Sequence, residues 1–433
     1  MHILKIIHGY PPHYSAGSEV YTQSLCNELS KFHKVSVFTR REDPYTPCFR
    51  IDVEVKNQNL KLYFVNNPHH KEGFRHARLD KNFASLVAYL QPDIAHIGHL
   101  NYLSTGIVDI LYQMNIPIVY TLHDFWLMCP RGQFLTRSIG KEENFQLCSG
   151  QDNYKCAVTC YEAYFSGYEE RREQEIAYWS KWVEKRMRTT RSFIDKVDIF
   201  INPSRFLRNI FIEDFGVPES KIIYMDYGFP LDYLVPPKKN KEDELFTFGY
   251  IGTFIPAKDV NLLVEAFKQI QLPARLLLWG YKDEQSIRAL REMARDSVNE
   301  IRFMGPYSNE RIAYEVFSRI DCIVVPSIWA ENSPLVIHEA QACHVPVITA
   351  NYGGMKEYVQ HMVNGLLFEH RNPRSLKEQM EFAINNPDLM EKLGKRGYLY
   401  SEDGTVPDIQ SHCNNLERLY SQLIQSRTKS VSL

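Results

Sequence analysis

IWAENSPLVIHEA, residues 328–340, sets a Ser-Pro pair between two glutamates, Glu331 and Glu339. Ser333 is a helix-capping residue, and Pro334 suits a first helical position because its missing N–H would be unpaired there anyway. A helix is therefore expected to open at Pro334. Just upstream, DCIVVPS reads as a short buried strand. The free N–H groups and positive dipole end of the helix then face the strand's carboxyl edge, where an anion such as a diphosphate is favoured. Glu331 falls in the loop ahead of that point. Glu339 falls roughly one and a half turns into the helix, at ~3.6 residues per turn. A carboxylate so near a phosphate is repelled unless it meets hydroxyl donors, so the pair suits a ligand with phosphates between hydroxylated rings. Spacing alone equally allows a solvated helix glutamate and an ordinary loop charge.

The same rhythm runs outward in both directions. FTFGYIGTF, ARLLLWGY, IRFMGPY and VPVITANYGG read as strands, with VNLLVEAFKQI, SIRALREMARD and PLVIHEAQAC as amphipathic helices between them. The first half repeats the alternation with ILKIIHG, KVSVFT, LYFVN, DIAHIG, IPIVYTLHD, DIFINPS and KIIYMDYG. This is the α/β pattern of parallel sheets with helices on both faces, here as two doubly wound, Rossmann-like domains. LVPPKKNKEDE, from Leu234, is polar and aperiodic and marks the linker. The expected division is 1–236, 237–403, and a helical segment 404–433 that packs back on the first domain, with an irregular insertion at about 130–190. Ligands of open α/β sheets bind outside the carboxyl ends of the strands. Two such domains facing each other would enclose a cleft.

Composition bounds the function. The chain has 433 residues, 44% hydrophobic and 24% charged, with a formal net charge of −2. It can bury large cores, and it lacks the positive excess of a phosphate-backbone binder, so no nucleic-acid partner is expected. MHILKIIHGYPP resembles a first core strand more than a signal peptide. No window approaches the ~20 apolar residues of a membrane span. The expectation is a cytoplasmic protein whose membrane contact, if any, is peripheral.

PSIWAENSPLVIHEAQACHVPVITANYGGMKEYVQHMVNGLLF resembles the Glu-x7-Glu donor segment of family 4 glycosyltransferases, with the proline-led helix, the PVI strand, the paired glycines and NGLLF. GYIGTFIPAKDVNLLVEAF is similar to that family's phosphate loop, and PPHYSAGSEVYTQSLCNEL to its glycine loop. The resemblance implies a GT-B fold and a retaining transfer from a nucleotide-sugar donor (UDP- or GDP-sugar). The acceptor would be a hydroxyl on a glycan or lipid-linked glycan, in bacterial surface polysaccharide or glycolipid synthesis. It assigns Glu339 to the ribose hydroxyls, Glu331 to the donor sugar near the reacting carbon, and the backbone of Asn332, Ser333 and Leu335 to the distal phosphate. Lys258 matches the phosphate lysine. Thr253 stands where the family often has an arginine, so leaving-group stabilisation rests more on Lys258 and the helix end. Gly17 marks the small-residue loop of the first domain. His123, ending the strand in VYTLHDFW, aligns with a histidine that contacts the donor sugar; an imidazole there can bond a hydroxyl, assist a proton or simply satisfy the strand end. No Asp-x-Asp triplet occurs, which fits a reaction needing no metal, with Lys258 and the helix dipole in place of a cation. Two other readings stay open: a non-catalytic nucleotide-sugar-binding subunit of a polysaccharide assembly complex, and a nucleotide-sugar epimerase of the same fold.

Cys129, Cys148, Cys156 and Cys160 follow the pattern C-x18-C-x7-C-x3-C within the insertion. Four thiolates can close a tetrahedral metal site, zinc before an iron–sulfur cluster, and a long irregular loop often needs such a staple. Buried thiols or a redox pair are the alternatives. The other five cysteines are scattered, as small apolar fillers are. IAYWSKWVEKRMRTTRSFI mixes tryptophans with basic residues, which suits either a helix on an anionic membrane surface or one packed on the domain by its aromatics.

Overall fold

The computed structural model describes residues 1–67, 73–137, 145–280 and 284–431. Two compact units form, Met1–Gly228 with Ile409–Leu433, and Phe229–Asp408.

The first unit is built on β1 (His2–Ile6), β2 (Lys34–Arg41), β3 (Ile51–Val55), β4 (Leu60–Asn66), β5 (Ile94–Ile97), β6 (Ile118–Thr121), β9 (Ile199–Asn202) and β10 (Ile222–Tyr224). Among the described residues they make a sheet in the order β10-β9-β6-β5-β1-β2-β4-β3. All neighbours are parallel except the edge pair β3–β4. Strands β1, β5 and β6 are buried throughout, as expected of parallel strands covered on both faces. A separate antiparallel ribbon, β7 (Leu135–Arg137) with β8 (Phe145–Leu147), lies in the insertion. The insertion's long helix, Arg172–Arg191, buries Val183, Arg186, Met187 and Thr190. Arg186 Nη2 donates to Trp126 O at 2.5 Å, and its guanidinium lies 4.5 Å from the Trp126 ring centre. Trp182 meets Phe74 edge-on, so this helix places a tryptophan against the domain.

The helix Ile409–Val431 belongs to this unit and packs beside Gly17–Leu29. His412 Nε2 is 2.7 Å from Tyr21 Oη, and Tyr420 Oη is 2.5 Å from His96 Nδ1. Leu416 and Tyr420 are fully buried.

The second unit holds β11 (Phe246–Ile251), β12 (Ala274–Trp279), β13 (Glu300–Gly305), β14 (Cys322–Val325), β15 (Val347–Ala350) and β16 (Gly365–Phe368). Their order, β13-β12-β11-β14-β15-β16, all parallel, is the doubly wound dinucleotide-binding order.

The unit boundary falls after Gly228, upstream of the expected break at 236, and the first unit resumes at Ile409 rather than 404. Phe229 N donates to Pro407 O at 2.8 Å and bridges Asp408, tying both ends of the second unit together. The polar segment expected to be a linker is docked: Asn240 N donates to Ser318 O at 2.7 Å, Lys241 pairs with Asp321 at 2.7 Å, and Asp243 pairs with Arg275 at 2.6 Å. The charges of Lys239, Lys241, Glu242 and Asp243 belong to ion pairs, which composition alone cannot distinguish from solvation.

Candidate active site

In each sheet the winding reverses at one place, between β1 and β5 and between β11 and β14. Ligands of such sheets bind at the carboxyl ends of strands beside this switch. Lys258 and Glu331 follow the two switch strands of the second sheet; in the first, His8 and His99 do, with His123 one strand further along.

In the second unit, β11 runs into Gly252, whose φ of +152° suits glycine, then Thr253, and a short turn Pro256–Lys258. Thr253 is exposed; its carbonyl accepts a bond from Tyr250 Oη at 3.2 Å. Asp259 caps the next helix through Leu262 N at 3.2 Å, which fixes Lys258 at the mouth of the turn. Lys258 forms an ion pair with Glu331, and its ammonium stands 5.8 Å from the Trp329 ring centre. Ser327 Oγ donates to the same Glu331 oxygen at 2.7 Å. Glu331 is buried, so its carboxylate needs both partners. The indole Nε1 of Trp329 is buried without a hydrogen-bond partner among the described residues.

The helix begins at Leu335 and runs to Ala342, one residue later than the sequence suggests. Pro334 keeps extended backbone, ψ 119°, and stands at the N-cap position. The preceding loop is tied by backbone: Gly354 N donates to Glu331 O at 2.7 Å. A Cβ on Gly354 would stand 1.6 Å from Asn332 O, and one on Gly353, at φ +58°, 2.9 Å from Ala330 Cα. The paired glycines let one loop press on the backbone of the other. Asn332 and Ser333 are buried there, and Leu335 opens the helix.

Glu339 sits half-buried on that helix, and its carboxylate takes no hydrogen bond from a described residue. Burial pushes its pKa up to about 7, against a weaker opposite pull from His338. Tyr307 is close enough to feel its charge. The structure thus brings Lys258 and Glu331 into direct contact and keeps Glu339 apart from that pair.

In the first unit, His8 follows β1, His99 follows β5, His123 follows β6 and Tyr227 follows β10. His123 Nδ1 is 2.6 Å from Tyr227 Oη. Burial, then Lys5 and His99, hold His123 well below its ordinary pKa, so it is neutral near pH 7. His8 Nε2 lies 3.2 Å from Glu19, its ring centre 4.4 Å from that of His99, and His99 is 3.3 Å from Asp124. Asp124 also caps the next turn through Trp126 N at 2.8 Å. Gly17 is the exposed first residue of the helix Gly17–Leu29, and Glu19 is in that helix's first turn. His8, Glu19, His99, Tyr227, Ser327 and Trp329 were not singled out from sequence. The strand-end argument applied to His123 covers His8 in IIHG and His99 in HIGH equally well; Tyr227 and Ser327 show only through their partners.

The four clustered cysteines all border one cavity in the insertion. Among the described residues, no group of three or more His, Cys, Asp or Glu side chains is arranged to hold a metal ion.

Solved structures share this architecture along nearly the whole chain. Sucrose-phosphate synthase from Thermosynechococcus elongatus superposes with a TM-score of 0.70 at 18% identity, over 98% of this chain and 99% of that one. Anabaena HepE, solved in complex with UDP and glucose, gives 0.64 at 16% identity, over 97% of this chain and 99% of that one. The fold is the GT-B fold of glycosyltransferases. Residues 15–232, half of the chain, match Glycosyltransferase Family 4, and residues 235–400 match Glycosyl transferases group 1. The chain belongs to glycosyltransferase family 4.

An uncharacterised glycosyltransferase of Methanocaldococcus jannaschii is 33% identical over 160 residues, 36% of this chain and 44% of that protein. The D-inositol 3-phosphate glycosyltransferase of Gordonia bronchialis is 26% identical over 258 residues, 54% of each chain. The chain spans about half the length of the curated relatives it matches. No helix among the described residues is long and apolar enough to cross a membrane.

Proposed function

We propose that the protein transfers a sugar from a UDP- or GDP-sugar to an acceptor hydroxyl with retention of anomeric configuration. The acceptor would be a glycan or lipid-linked glycan of a bacterial surface polysaccharide or glycolipid. The reading is carried by one observation: a buried Glu331 paired with Lys258 at the head of the helix that also bears the half-buried Glu339. Glu339 would accept the ribose hydroxyls. The backbone N–H groups of Asn332, Ser333 and Leu335 would face the distal phosphate. When the diphosphate arrives, Lys258 exchanges Glu331 for phosphate oxygens, and Glu331 turns to the donor sugar's hydroxyls beside the reacting carbon. Thr253 has no charge to add, so Lys258 and the helix end carry leaving-group stabilisation, and the reaction should run in excess chelator. Neutral His123, held by Tyr227, is assigned to a sugar hydroxyl.

In the chemical step the bond from the anomeric carbon to the diphosphate breaks as the acceptor oxygen attacks the same face. The acceptor's proton passes to the departing phosphate oxygen. No step needs a protein nucleophile. The test is a panel of nucleotide sugars with glycan and lipid-linked acceptors, read by nucleoside diphosphate release and by the anomeric configuration of the product. Turnover of one donor with retention, lost in Glu331→Ala while nucleotide still binds, is the expected result. A donor that binds but is never turned over, equally with and without Glu331, would make the chain a binding subunit. A returned nucleotide sugar of altered stereochemistry would make it an epimerase.

A further inference from the structure

Four of the nine cysteines gather at one place from separate segments. Cys129 ends the turn after β6, Cys148 follows β8, Cys156 closes the helix Asn153–Cys156, and Cys160 lies in the π-helical turn Ala157–Tyr161. All four line a single small cavity of about 10 Å³. The Cys156 thiol interacts with each of the other three, and Cys129 also with Cys160. Cys26, Cys48, Cys322, Cys343 and Cys413 are scattered through other elements, as filler residues are.

Burial holds the Cys129 and Cys156 thiols protonated, while backbone groups of Phe134, Arg131 and Gly132 lie against the Cys129 sulfur and that of Asp152 against Cys156. Arg131 and Lys155 line the same cavity, and the buried Arg186 guanidinium feels Cys129. Three cations around four thiols suit a zinc tetrathiolate, whose net charge is that of a dianion.

We propose that Cys129, Cys148, Cys156 and Cys160 bind one zinc ion as a closed structural site. Binding exchanges four S–H protons, released to solvent, for four S–Zn bonds. The sulfurs border the cavity without being arranged for coordination, so the loop of Cys148 and the turn of Cys156 and Cys160 draw in on the ion. Such coupling of local folding to binding is general for metal sites. The site tethers the turn that follows His123 and Asp124, since Cys129 N already donates to Phe125 O at 2.7 Å and Phe125 N to Gly132 O at 3.1 Å.

The test does not depend on the sugar-transfer reading. Metal analysis of the purified full chain should give about one zinc per chain. A mercurial reagent should release it as four thiols react, and Co²⁺ exchange should give the intense visible bands of tetrahedral thiolate coordination. Cys148→Ser and Cys156→Ser should lose zinc while Cys48→Ser keeps it. Should those variants fail to fold, the Co²⁺ spectrum of the wild type decides. Folded wild type with no zinc and no uptake of added Zn²⁺ overturns the proposal. So does iron with acid-labile sulfide, or a thiol count under denaturing, non-reducing conditions lowered by disulfides.

Discussion

Lys258 and Glu331 neutralise each other where a diphosphate would dock, so ligand binding is an exchange of partners and not a new attraction alone. Lys258→Ala removes the positive charge that the proposed reaction sets against the leaving group and leaves Glu331 with Ser327. Losing one such donor costs about 10²–10³ in rate, so kcat/KM should fall by that order, which steady-state kinetics on the preferred donor will read. Glu339 makes a pH prediction of defined sign. Its folded pKa of about 7 lies above the ordinary 4.5, so between these values the folded state holds a proton that the unfolded state has lost. Stability therefore falls as pH rises across that window, and the cost is complete above it. Glu339→Gln should be more stable than the wild type by roughly 1–3 kcal/mol at about pH 8 and equal to it at about pH 4, measured by urea unfolding. Ribose hydroxyls prefer the anionic form, so nucleotide binding near pH 6.5 should release a proton, visible by calorimetry in buffers of different ionisation enthalpy.

At the scale of elements, the loop carrying Glu331 and Asn332 is pressed directly against the backbone of Gly353 and Gly354. Gly354→Ala should force the two backbones apart, because the clash is with a carbonyl oxygen and not with a flexible side chain. A loss of roughly 2 kcal/mol or more in stability and at least tenfold weaker nucleotide binding are expected, from thermal unfolding and calorimetry. The sequence reading was most secure for strands: the apolar runs FTFGYI, ARLLLW and CIVV are strands because parallel strands covered on both faces need no alternation. It missed the helix start by one residue at Pro334, whose φ suits the residue before a helix as well as the first within it. PPKKNKEDE misled because its charges find partners 32 to 81 residues away, at Arg275 and around Ile320 and Asp321. Tyr227, 104 residues from His123, was hidden in the same way. Local patterns carry periodicity and caps; they carry no long-range partners.

At the scale of the molecule, the first unit takes in Ile409–Val431, which supplies the fully buried Leu416 and Tyr420 and the partners of Tyr21 and His96. Burial of each such side chain is worth roughly 1.5–3 kcal/mol. A chain ending at Asp408 should therefore lose most of the first unit's stability, while residues 229–408 made alone should stay folded, their ends joined at the Phe229–Asp408 bridge. Separate melting transitions of the two fragments would check this. The same bridge gives the chain a timetable. On the ribosome the second unit holds all its parts once residue 408 has emerged, whereas the first, begun earlier, waits for Ile409–Val431 before its sheet can be covered. The portion made first is completed last, so the exposed apolar face of an unfinished β1–β5 region is where a chaperone would be most needed during synthesis.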